Sequence, residues 1–126
     1  MIVPAALYLI PVPLVDDGVP ADVLPAPVLG QVRAIRDFVV ENAKSSRRFL
    51  SACDHPGPIS DLGMAVLDEH TRPEDVPGLL APLRAGRPLG VLSEAGAPAV
   101  ADPGASLVSA AHAEGKIIGV SWASFQ

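Results

Sequence analysis

The chain has 126 residues, of which 49% are hydrophobic, and its mean hydropathy is positive at +0.37. That argues against intrinsic disorder and provides enough apolar surface for one domain with its own core. A formal net charge of −5 argues against broad, sequence-independent nucleic-acid binding, but not against a local basic patch. A single cysteine, Cys53, excludes an internal disulfide and fits a reducing compartment.

The first fifteen residues are apolar but carry Pro4, Pro11 and Pro13 and no basic residue, unlike a secretory signal. No stretch approaches the ~20 apolar residues of a membrane span. The expectation is a soluble cytoplasmic protein with no membrane association. Leu7-Tyr8-Leu9-Ile10 reads as a first buried strand ended by Pro11, and a proline-rich loop with Asp16, Asp17 and Asp22 follows to Pro27. Val28, Leu29, Val32 and Ile35 recur at helical spacing, predicting a helix over 25–36. Phe38-Val39-Val40 reads as a second strand, closed by Glu41-Asn42.

Residues 43–53 are the cleanest amphipathic segment. Lys44, Arg47 and Arg48 fall on one side, and Phe49, Leu50 and Cys53 on the other. A weak third strand is expected near 58–62, and 64–70 as a short helix or irregular. Thr71 and Glu74 have capping-box spacing. Val76, Leu79, Leu80 and Leu83 then give a helical stripe, with Pro82 predicting a kink or a short helix and Gly86 its C-terminal cap. Leu89 to Ser93 reads as a strand. Asp102 reads as an N-cap with Pro103 at the first helical position, and Leu107, Val108 and Ala111 face the core of a helix ended by Gly115. Ile117, Ile118 and Val120 make a last strand. Alternating strands and helices predict an α/β fold, a parallel sheet with helices on both faces.

The loop at 93–104, Ser93-Glu94-Ala95-Gly96-Ala97-Pro98-Ala99-Val100-Ala101-Asp102-Pro103-Gly104, stands where a strand opens toward a helix. In an open α/β sheet ligands bind at that edge, and glycine lets a backbone approach them closely. A proline-rich connection with a capped helix accounts for the same residues. The loop at 11–18 follows the first strand and belongs at the same edge, as a rigid turn beside a ligand or as a stiff surface loop. Lys44, Arg47 and Arg48 fit an anionic substrate such as an RNA backbone, and equally a solvated helix face. No Gly-x-Gly-x-x-Gly or P-loop is present. His55, His70 and His112 lack metal-ligand spacing, so no metal is expected. Cys53 lies on an apolar helix face and Ser93 has no obvious histidine partner, so neither reads as a nucleophile.

Three segments carry a resemblance. Leu7-Tyr8-Leu9-Ile10-Pro11-Val12-Pro13-Leu14 resembles the opening strand and loop of the tetrapyrrole methylase superfamily, in the branch that includes the ribosomal RNA small-subunit methyltransferase I enzymes. Val12 and Val15 replace the threonine and glycine of that branch's Pro-Thr-Pro-Leu/Ile-Gly loop. Phe38-Val39-Val40-Glu41-Asn42 with Ser46-Arg47-Arg48-Phe49-Leu50 is similar to its Val-Glu-Asn and Ala-Arg-Arg-Phe-Leu segment. Ser93-Glu94-Ala95-Gly96-Ala97-Pro98 with Ala101-Asp102-Pro103-Gly104 resembles its Ser-Asp/Glu-Ala-Gly-x-Pro and Asp-Pro-Gly signature.

The resemblance implies a methyltransferase using S-adenosyl-L-methionine as donor, held in a cleft between two α/β domains. It assigns Pro13, Glu94, Gly96, Ala97 and Pro98 to the donor, and Asn42, Arg47 and Arg48 to the substrate side. It implies a homodimer, and an acceptor that is a ribosomal RNA ribose or a tetrapyrrole-like small molecule. It names no general base. Residues 1–115 correspond to the family's N-terminal domain, while 116–126 diverge from its valine-rich strand and Gly-Pro-Ser loop. The expectation is a chain lacking the second domain, from a truncated or frame-disrupted reading frame and inactive alone. The alternative is a non-catalytic remnant of such an enzyme.

Overall fold

The computed structural model describes residues 3–12, 26–94 and 104–120. Five strands, β1 (Leu7–Val12), β2 (Asp37–Val40), β3 (Gly63–Val66), β4 (Leu89–Glu94) and β5 (Ile118–Val120), form one sheet in the order β3-β2-β4-β1-β5. Every neighbouring pair is parallel. The helices are α1 (Ala26–Ala34), α2 (Ala43–Ala52), the single turn α3 (Ala81–Arg84) and α4 (Gly104–Ala113).

The inner strands are apolar at consecutive positions because both of their faces are covered. Tyr8, Ile10, Phe38, Val40 and Leu92 pack on one side with Val28, Leu29 and Val32 of α1 and Phe49 and Leu50 of α2. Leu7, Leu9, Val39, Leu89 and Val91 pack on the other with Leu80, Leu83 of α3, and Leu107 and Ala111 of α4. Each fully buried Leu, Ile or Phe contributes roughly 1.5–3 kcal/mol. A right-handed crossover that reverses its direction along a sheet must change face. The chain moves one way from β1 through β2 to β3, with α1 and α2 on the first face. It then reverses through β4 to β5, with α3 and α4 on the second.

Helix ends are set by local chemistry. Asn42 caps α2, its side-chain oxygen accepting from the Ser45 N–H at 3.0 Å. All three helices α2, α3 and α4 end in paired Schellman bonds. Asp54 N–H donates to Ser51 O and His55 N–H to Leu50 O after α2, and Gly86 with Arg87 and Gly115 with Lys116 repeat the pattern after α3 and α4. The loop beyond α2 is then pinned by His55, whose Nε2 lies 2.6 Å from Ile35 O and whose ring meets Phe38 edge-on.

The structure corrects several expectations. β1 runs through Pro11 to Val12 instead of ending at Pro11, and residues 64–66 are strand, not short helix or irregular chain. The third strand is 63–66, not 58–62: Pro58 has no N–H to give, residues 59–61 form a 3-10 turn, and pairing starts with Gly63 N–H on Arg36 O at 2.9 Å. The stripe from Val76 to Leu83 is buried at Val76, Leu80 and Leu83 but is no continuous helix. Pro73 and Pro77 each begin a 3-10 turn and Pro82 is the second residue of α3, first-turn positions where a missing N–H costs nothing. Thr71 does not cap: its hydroxyl accepts from Asp68 N–H at 3.0 Å, and Arg72 stands at the cap position, where its side chain makes no capping bond. The predicted cap Asp102 and its neighbour Pro103 lie outside the described residues.

Candidate functional site at the carboxyl edge of the sheet

The strand exits part to opposite faces of the sheet at β4. Its neighbours β1 and β2 both send the chain to the first face, and β4 sends it to the second. Connections that part in this way leave a crevice at the carboxyl ends of the strands, the place where open α/β sheets take ligands. Register fixes which residues border it. Ile10, Leu92 and Val40 stand in one row across β1, β4 and β2. Two residues further on, Val12 pairs with Glu94, and Asn42 follows Val40 by the same step. With strands about 4.8 Å apart, the three chain exits lie within roughly 10 Å of one another.

The resemblance therefore finds two of its segments on adjacent strands and the third beside them. Glu94 is the last residue of β4, opposite Val12 at the end of β1. Pro13, Gly96, Ala97 and Pro98, the other residues assigned to the donor, lie outside the described residues.

Among the residues that the resemblance assigns to a substrate, Asn42 is exposed and its side-chain oxygen is committed to the α2 cap. What it offers a ligand is its amide N–H2. The Asn42-Ala43-Lys44-Ser45 run that opens the amphipathic stretch is itself a legible capping signal. Lys44, Arg47 and Arg48 are all exposed on α2, while Phe49 and Leu50 of the same helix are buried. Among the described residues, none of these three cations makes an ion pair or a side-chain hydrogen bond. By contrast, Arg72, Arg84 and Arg87 are each paired with a carboxylate. Lys44 stands in the first turn of α2, where the helix dipole disfavours a cation. The first turn also carries no acid. The helix thus starts at that sheet edge and carries away from it a strip of positive charge that no carboxylate of the described residues pairs with.

Cys53 and His55 are structural. Burial pushes the Cys53 thiol up to about 11, leaving it a neutral core group, as its helical position predicts. His55 is a buried loop anchor, and His70 and His112 are exposed. Among the described residues there is no group of three or more His, Cys, Asp or Glu side chains that could hold a metal ion. None of their helices is long and apolar enough to cross a membrane. A comparison with models of known protein families finds no match, and no curated protein matches the chain.

Proposed function

We propose that the crevice at the ends of β1, β4 and β2 binds S-adenosyl-L-methionine, and that the domain is the donor-binding half of a methyltransferase acting on RNA. The observation that supports this reading most is the register of β1 against β4, with Val12 opposite Glu94. It brings the two loops that resemble donor loops out of the sheet side by side. An RNA acceptor, with a ribose hydroxyl as the methylated group, is favoured over a small tetrapyrrole by the exposed cations of α2 beside that edge, which have no ion-pair partner among the described residues.

When bound, the donor would supply a sulfonium-activated methyl group for an acceptor hydroxyl, the S–CH3 bond breaking as O–CH3 forms, with S-adenosylhomocysteine leaving and the hydroxyl proton passing to solvent. This chain's contribution is positioning. Backbone at the ends of β1 and β4 orients the donor, and Arg47 and Arg48 hold the acceptor's phosphates. Titration of the 15N-labelled chain with S-adenosylhomocysteine tests the donor half of the reading. Amide shifts are expected at Val12, Asn42 and Glu94 and not at Gly63 or Leu89 on the opposite edge. No shift at millimolar ligand overturns it and leaves a non-catalytic remnant.

A further inference from the structure

We draw no further inference here: the strongest candidate, the exposed cationic face of α2 formed by Lys44, Arg47 and Arg48, belongs to the site already described.

Discussion

Gly90 lies directly beneath the ring of Phe38. A Cβ built on Gly90 would come within 2.9 Å of Phe38 Cδ1 and 3.3 Å of Ile10 Cδ1. Both neighbours are fully buried, so neither has room to move aside. The contact lets β4 sit between β1 and β2 with a large aromatic ring packed across it, and β4 carries the centre of the candidate crevice. Gly90→Ala is therefore expected to destabilise the domain by about 1–3 kcal/mol through overpacking. Urea denaturation at constant slope measures it. An unchanged midpoint would show that Phe38 is not held against β4.

Asp54 occupies the left-handed region with φ of 56°, at the position where α3 and α4 use glycine, Gly86 at 82° and Gly115 at 72°. An L-residue is strained in this conformation, and glycine is not. Asp54→Gly should raise stability by about 0.5–1 kcal/mol, and Gly86→Ala or Gly115→Ala should lower it by a similar amount. Thermal unfolding of the three variants gives the comparison. The prediction is lost if all three move the melting temperature in the same direction.

Arg84 and Glu114 tie α3 to the end of α4, with Arg84 Nε donating to Glu114 Oε1 at 2.9 Å. The guanidinium also donates to Pro77 O at 2.7 Å. The hydrogen bond from Arg84 holds the Glu114 carboxyl below its ordinary value, and Arg84 is raised in return. A carboxyl lowered by folding contributes stability that is present above its unfolded value and lost as pH falls through its folded one. Glu114→Gln should therefore melt lower than the parent at pH 7, and the gap should close in acid below the usual glutamate range. Both groups are near the surface, so the effect should be small and weakened by salt. A gap that persists unchanged in acid would assign the loss to packing instead of charge.

How much of this was legible follows from what each element buries. The runs Leu7–Ile10, Phe38–Val40 and Leu89–Leu92 announce themselves because both faces of the inner strands are covered, and α2 because only one of its faces is. β3 is an edge strand whose Gly63 and Val66 are exposed, so its sequence carries little periodic signal, and it stands just beyond the 58–62 that the sequence suggests. The segment from Pro73 to Arg84 has a helical stripe, but prolines 73, 77 and 82 reset the backbone three times. The loops at the strand ends could be read as ligand loops one at a time. That β1 and β4 are neighbours could not be read, because strand order is decided by pairings between residues about 80 positions apart, on which local periodicity is silent. The fate of Asn42 shows the reverse case: its spacing was readable, and the nearer reading, a helix cap, is the one its side chain adopts.

The α2 strip gives the sharpest test of the RNA reading. Lys44, Arg47 and Arg48 carry three positive charges on an otherwise acidic chain, and none is neutralised by a carboxylate of the described residues. A solvated helix face and a phosphate track predict different salt behaviour. Phosphate contacts release counterions, and each one lost from a single strand lowers the slope of log affinity against log salt by about 0.7. The double variant Arg47→Ala, Arg48→Ala should bind a single-stranded RNA fragment more weakly and with a slope shallower by about 1.4, if each arginine holds one phosphate. Helix content should stay unchanged, because alanine favours helix and both side chains are exposed. Fluorescence anisotropy across a salt series measures the slope, and far-ultraviolet circular dichroism checks the fold. Equal slopes for parent and variant would mean that the strip meets only water, and RNA would then have to be replaced by a small acceptor in the proposed reaction.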